Sequence, residues 1–343
     1  MNDIFSREQC INHGTSVSIS AYLNNHFQLL NVMDLYHYTD ISGFLSIIAN
    51  QEFWLSNIQF MNDRLEYLEG KNRCKKIIGK MQHLYSEQEK ELLETILKCL
   101  DDDFSAGIYS RSSKDVFSLS FSRNRDSLDM WRGYGNRSGI AIGFDMNQCF
   151  NSPGFAMMRK EQYEYELNNN GNHPEQMTAE TERRLYARNI VYNEKVIDEI
   201  ITEVIKIGLD HLSYKSKTSP DIAMISAVHC ITDTLFDLFP FLKNSGFKNE
   251  EECRIIENYV TFNNNIPLKV YYRERNGIAL PFIKYVLLDE NCRPLKQWPI
   301  SEIVIGPGLR QQDLAKSIKY FLNQQGMKDL ANKVVLSSIP FVP

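Results

Sequence analysis

The sequence predicts an α+β protein with a mixed, mostly antiparallel sheet and two helical insertions. Three observations predict this. Short runs that alternate apolar and polar residues, or are apolar throughout, recur towards both ends of the chain. Two long blocks, at about 62–104 and about 194–243, repeat their apolar residues at helical spacing instead. The chain closes in strand–helix–strand order between Ile303 and Leu336. The expected organisation is a leader over 1–34 followed by one domain over 35–343 that carries both insertions.

The elements follow in order. The leader is mostly polar, with a short helix near Ala21–Leu30. Leu35–Thr39 is short and aromatic, a strand by composition. Asp40 and Ser42 suit the N-cap of a helix over Phe44–Ile48, and Gln51–Ser56 reads as a second strand. From Arg64 to about Leu100, Leu65, Leu68, Cys74, Ile77 and Ile78 mark one helix face, and Leu92, Leu93, Ile96 and Leu100 mark another. Two antiparallel helices breaking near Ser86 satisfy that pattern. Val116–Ser122 alternates apolar residues with serines, so one strand face is buried and the other is small and polar. Ser127 can cap a short helix over Leu128–Tyr134, and Gly139–Phe144 is a strand apolar on both faces.

Further strands are expected near Phe155–Arg159 and over Leu185–Tyr192, then long helices over Glu194–Leu212 and Asp221–Leu242. Arg254–Ile256, Val260–Phe262, Leu268–Tyr272 and Ile283–Leu288 form a strand series. Ile303–Ile305, a helix over about 311–324 and Val334–Leu336 close the fold.

Composition narrows the function classes. With 343 residues, 43% hydrophobic and 24% charged, the chain can bury a core without metal or disulfides. A net charge of −5 argues against a dedicated nucleic-acid binder. The row Arg111, Lys114, Arg123, Arg125, Arg132 and Arg137 is either a local basic groove or a solvated segment. The seven cysteines are dispersed, with no zinc knuckle or redox pair, which suits a reducing cytoplasm. The start lacks a signal-peptide pattern, and no run of about 18 apolar residues predicts a membrane span. No metal site is expected.

Several constellations can carry chemistry. His37 and Thr39 share one strand face, where an imidazole and a hydroxyl can bond a ribose, while Tyr36 and Tyr38 turn to the core. The plain alternative is a structural histidine. Ser118, Ser120 and Ser122 make a shallow polar floor for a flat ligand, or an exposed strand face. Trp131 and Tyr134 fall on one side of a short helix, where they stack on a ligand or merely pack. If 249–254 is extended, Glu250, Glu252 and Arg254 share a face. An arginine-fixed carboxylate there can stabilise an oxocarbenium-like transition state; the alternative is a solvated acidic turn. Gly306-Pro307-Gly308 lacks a full phosphate-loop pattern and reads as a tight turn.

Taken in order, these motifs resemble the bacterial domain-of-unknown-function 2971 family. The resemblance runs from about Leu35 to Pro340, through Leu35–Thr39, Phe53–Asn57, Phe60–Asp63, Leu119–Ser122, Met130–Tyr134, Gly139–Phe144, Glu250–Arg254, Ile303–Pro307 and Ser337–Pro340. Cys253 stands where the family usually has an aromatic residue. The family layout in turn looks like a split-sheet ADP-ribosyltransferase fold. By that analogy His37 and Thr39 bind ribose, and Ser120, Ser122, Trp131 and Tyr134 shape a nicotinamide pocket. Glu252, with Glu250 as the second choice, is catalytic, and Arg254 orients it.

The implied function is NAD-dependent ADP-ribosyl transfer, or NAD hydrolysis, by a cytoplasmic toxin or phage-defence effector. NAD is the substrate and no metal is needed. The acceptor is a protein or nucleic acid, and a neutralising or regulatory partner protein fits such a role. Two rivals stand beside it: a non-catalytic ligand-sensing or partner-binding protein on the same scaffold, and a nuclease-type toxin using the basic row.

Overall fold

Short strands paired over long sequence distances organise this chain. The structure is a computed structural model that describes residues 6–14, 18–19, 22–27, 34–60, 64–81, 83, 85–101, 116–134, 139–145, 156–169, 187–258, 269–275, 277–288, 293–295 and 297–340. In chain order the elements are α1 (Arg7–His13), β1 (Asp34–Asp40), α2 (Ile41–Asn50), β2 (Phe53–Asn57), α3 (Arg64–Met81), α4 (Glu87–Asp101), β3 (Val116–Ser122) and α5 (Leu128–Tyr134). Next come β4 (Gly139–Asp145), β5 (Ala156–Arg159), α6 (Lys160–Asn169), β6 (Arg188–Asn189), α7 (Glu194–Thr218), α8 (Ala223–Leu238) and β7 (Glu252–Asn258). The last are β8 (Tyr271–Arg275), β9 (Ile278–Leu288), β10 (Ile300–Ile305), α9 (Gln311–Gln324), α10 (Lys328–Asn332) and β11 (Val334–Leu336).

The result is a mixed α/β protein with an open, mostly antiparallel sheet. Its main order is β11-β10-β4-β1-β3-β2-β9-β5, with β7 on β3, β6 on β7 and β8 on β9. Only β10 and β11 pair in parallel among the described strands. The sheet divides at β3. One edge of β3 pairs with β7 along its whole length, from Val116↔Asn258 to Ser122↔Glu252. The other edge is shared: β1 takes its C-terminal end at Tyr36↔Ser122, and β2 takes its N-terminal end at Ser56↔Ser118. Between those contacts β1 and β2 part, and a cleft opens.

Three apolar layers hold this arrangement. On one sheet face α2 and α9 pack Phe44, Ile47, Ile318 and Leu322 onto Leu35, Phe53, Phe121, Ile142 and Phe144. On the other face α5 sets Met130 and Trp131 against Tyr36, Tyr38, Ala141 and Val304. The two expected insertions, α3–α4 and α7–α8, do not stand apart from one another; they share one core.

The expected leader is corrected on the same ground. Cys10, Ile19, Leu23 and Phe27 are buried in that helical core, and Arg7 pairs with Glu203 and Asp210 of α7 at 2.7 and 2.8 Å. The first 34 residues therefore include packed elements of the helical layer. The expected helix over 21–30 is a 3-10 turn at Leu23–His26 within the described residues.

Pro220–Phe241, which contains α8, is long and apolar enough by composition to cross a membrane, contrary to the sequence expectation. Its apolarity has a local use: Ala227, Cys230, Ile231 and Leu235 are buried in the helical core. Of the expected strand Leu185–Tyr192, the described residues form β6, which ends where the Val191 N–H donates to the Phe241 carbonyl. The strand expected at 268–272 begins at Tyr271 and runs on to Arg275. The expected strand Val260–Phe262 lies outside the described residues. Gly306 follows β10 where a Cβ would stand 2.8 Å from the Trp131 ring and 3.0 Å from the Gly139 carbonyl, so the close approach of α5 and β4 to the end of β10 requires glycine there.

Candidate functional site

The cleft at the division of the sheet has a volume of about 430 Å³. Its walls include His37 and Thr39 of β1, Ser118 and Ser120 of β3, Tyr134 of α5, Glu252 of β7, and Arg273 and Arg275 of β8. The imidazole near the front of the chain and the late carboxylate thus border one space. That volume lies within the usual range for small-molecule pockets, about 300–1,000 Å³.

His37 sits there for a backbone reason. Where β1 and β2 part, the Ser120 carbonyl lacks a strand partner, and His37 Nδ1 donates to it at 2.9 Å. A carbonyl only accepts, so Nδ1 carries the proton and Nε2 is left as an acceptor. The ring also stands edge-on to Phe121, with centroids 5.9 Å apart. Burial lowers the His37 pKa to about 4; the Ser120 carbonyl opposes the shift, and Arg273 and Arg275 add to it. The ring is neutral at pH 7, suited to accept a hydroxyl proton.

A pH dependence follows from that value. The unfolded chain binds a proton at His37 below about pH 6.5, and the folded chain only below about 4. Stability should therefore be full above 6.5 and fall as pH drops through this window, by up to about 3 kcal/mol. Urea titrations at pH 7 and pH 4.5 check it against His37→Gln, which keeps a donor for the Ser120 carbonyl. Equal pH slopes in wild type and variant would refute the assignment.

Glu252 is the first residue of β7, with its side chain 2% exposed. Arg254 donates to both carboxylate oxygens, Nε to Oε1 at 2.5 Å and Nη2 to Oε2 at 2.8 Å. Lys243 Nζ adds a third bond, to Oε2 at 3.0 Å. Burial works against the charge, but Arg254 and Lys243 outweigh it, with help from Ser120, and hold the carboxyl at about pKa 2. Such a group is an electrostatic element and a poor general base. Oε1 accepts from Arg254 Nε, one bond for an oxygen that can take two. The Ser120 hydroxyl lies close enough to favour the charge, yet outside hydrogen-bond geometry with any described group.

Several expected site residues stand elsewhere. Glu250 ends a 3-10 turn, and Glu251 takes a left-handed φ of 43°, so the segment 249–254 is not extended throughout. Glu250 and Glu252 are joined through Lys243, which reaches Glu250 at 2.8 Å, and Glu250 is not in the cleft wall. Arg254 is 4% exposed and lies behind Glu252, where its Nη1 donates to the Pro240 carbonyl at 3.0 Å. It can orient the carboxylate but does not face the ligand space. Ser122 is fully buried; its hydroxyl donates to the Glu250 carbonyl at 2.7 Å. Trp131 packs against Tyr38 with centroids 4.6 Å apart and donates to Asp126 at 2.7 Å, so of the aromatic pair only Tyr134 reaches the cleft. Tyr134, one turn on, packs against the edge of the same cluster, where the cleft begins.

Two members of the basic row are engaged within the protein. Arg125 forks onto Glu302 at 2.6 and 2.9 Å, and Arg123 donates to Asn189 at 2.5 Å. Arg111, Lys114 and Arg137 lie outside the described residues.

The sequence reading missed Lys243, Arg273 and Arg275. The two arginines alternate with Tyr272 and Glu274, a period-2 signal that a strand end placed at 272 cut off. Lys243 carries no local signal, since burial of a lysine beside two acids is a tertiary event.

With Trp131, Glu252 and Arg254 placed, the family comparison bears on their segment. Residues 130–255 match the family described as Protein of unknown function (DUF2971). The DUF2971 match supports the family resemblance over a shorter span than the motifs suggested. It takes in α5, the helical pair α7–α8 and the start of β7, and so Tyr134 and Glu252. His37, Ser120 and the β8 arginines fall outside the DUF2971 segment. No curated protein and no solved structure matches the chain.

Proposed function

We propose that the cleft binds NAD and breaks its nicotinamide–ribose bond, passing ADP-ribose to a macromolecular acceptor or to water. The observation that carries the proposal is that a neutral His37 and an ionised Glu252 border the same cleft at the division of a split antiparallel sheet. That layout is what the ADP-ribosyltransferase analogy leads one to expect.

In this reading His37 Nε2 accepts from a ribose hydroxyl, and Thr39 adds a hydroxyl beside it. Tyr134 and Ser120 border the nicotinamide end. The C1′–N bond breaks with its electron pair leaving on nicotinamide, and positive charge grows on the ribose. The fixed negative charge of Glu252 stabilises that charge. An oxygen or nitrogen of the acceptor then bonds to C1′ and loses a proton. The low pKa of Glu252 assigns this proton to solvent or to the acceptor's own surroundings. Metal is not required by the scheme, and a cytoplasmic setting, as a toxin or defence effector with a neutralising partner protein, remains part of the proposal.

A second reading has its own observation. The cations on Glu252 also suit a carboxylate that merely fixes the sheet, in a protein that senses a nucleotide without cleaving it. Incubating the purified chain with nicotinamide-labelled NAD, with and without cell lysate, separates the two. Release of free nicotinamide supports cleavage. Retention of intact NAD by the chain, with no release in either condition, supports sensing and ends the catalytic proposal.

A further inference from the structure

We propose that Arg273 and Arg275 form an anion subsite of the cleft that takes the diphosphate of a nucleotide ligand. The proposal rests on the reading of this cleft as the ligand pocket and names the chemistry held there; it needs no bond cleavage.

The two side chains are two residues apart on β8, so they share a sheet face, and both border the cleft. Neither has a carboxylate ion pair among the described residues. Burial, with Arg275 adding to it, lowers the Arg273 pKa to about 10, while Asp40 acts the other way. Two cations brought together in a concave, partly desolvated place repel each other, and an anion relieves that cost.

Arg273 is also held in position. Its guanidinium lies 5.5 Å from the Trp54 ring centroid and 5.7 Å from that of Phe282, and Nη2 donates to Ser56 at 2.9 Å. Its Nε is buried without a hydrogen-bond partner among the described residues. A planar fork fixed by aromatic neighbours and left with an unused donor suits phosphate oxygens.

Asp40, Glu274 and Glu252 also border the cleft, and the first two each hold a backbone N–H. Asp40 accepts from the Gly43 N–H at 2.7 Å as the cap of α2, and Glu274 accepts from the Gly277 N–H at 2.8 Å. Across the cleft, Ser42 and Gly43 of the first turn of α2 form part of the wall. A Cβ on Gly43 would stand 2.1 Å from Thr39 Oγ1, so glycine lets this turn approach β1 closely. The N-terminal turn of that helix faces the same space with the Asp40 carboxylate capping it.

Calorimetric titration of the full chain with inorganic pyrophosphate, ADP and adenosine tests the subsite. Wild type should bind pyrophosphate, and ADP at least tenfold more tightly than adenosine. Arg275→Gln should weaken ADP about tenfold or more and leave adenosine unchanged. Arg275 is half-buried and has no hydrogen bond or ion pair to lose among the described residues, so this variant should fold. Arg273→Gln should act alike, with a melting curve to check its fold. Equal affinity for ADP and adenosine, no binding of any of the three, or wild-type ADP binding by folded Arg275→Gln overturns the proposal. Pyrophosphate binding by a chain that releases no nicotinamide refutes the NAD chemistry and leaves the subsite standing. NAD cleavage indifferent to Arg275→Gln does the reverse.

Discussion

Arg254→Ala should lower the unfolding free energy by about 3–5 kcal/mol, the usual cost of breaking a buried ion pair by removing one partner. Arg254 supplies two of the three side-chain bonds that the Glu252 carboxylate accepts. Without it, a nearly fully buried carboxylate keeps only Lys243, which it already shares with Glu250. The Pro240 carbonyl loses its guanidinium donor as well. Lysine should rescue little, because one ammonium cannot replace a fork that reaches both oxygens. Denaturant titration of wild type, Arg254→Ala and Arg254→Lys at pH 7 measures this. A loss under 1 kcal/mol in the alanine variant shows that the triad does not hold the sheet to the 240–250 segment.

Glu252→Gln should reduce nicotinamide release by about 10²–10³-fold, the effect typical of removing one preorganised electrostatic group at a reacting centre, while NAD binding persists. Glutamine keeps the shape of the side chain and removes its charge. It also leaves Lys243 buried with Glu250 and takes the carboxylate charge from Arg254, so some stability is lost too. The assay is therefore run where a melting curve shows the variant folded, with NAD affinity measured separately. Turnover at the wild-type rate in folded Glu252→Gln refutes the catalytic role. Loss of NAD binding together with turnover reassigns Glu252 to the shape of the cleft.

These two predictions concern one carboxylate whose surroundings were only partly legible. The pairing of Glu252 with Arg254 follows from strand alternation, and β7 shows it. The third partner does not. Lys243 arrives from the end of the helical layer, and its burial is settled only once that layer closes on β7. Glu250 was expected to share the strand face, but the left-handed turn at Glu251 lifts it out. A run of three glutamates carries no mark of where the chain turns.

The sequence by itself determined what rests on local periodicity: the aromatic first strand with His37 and Thr39 on one face, the serine-faced strand, and the long apolar helices. These patterns are set by the geometry of one element and need nothing from its neighbours. Only the tertiary structure decided which side chains meet. β3 lends one edge to both β1 and β2, and that sharing opens the cleft and leaves the Ser120 carbonyl for His37. The packing of other elements brings in Arg273 and Arg275, buries Ser122 and turns Trp131 to the core. Strand pairing joins residues far apart in the chain, so its register is chosen by the burial of whole faces and not by any short stretch of sequence.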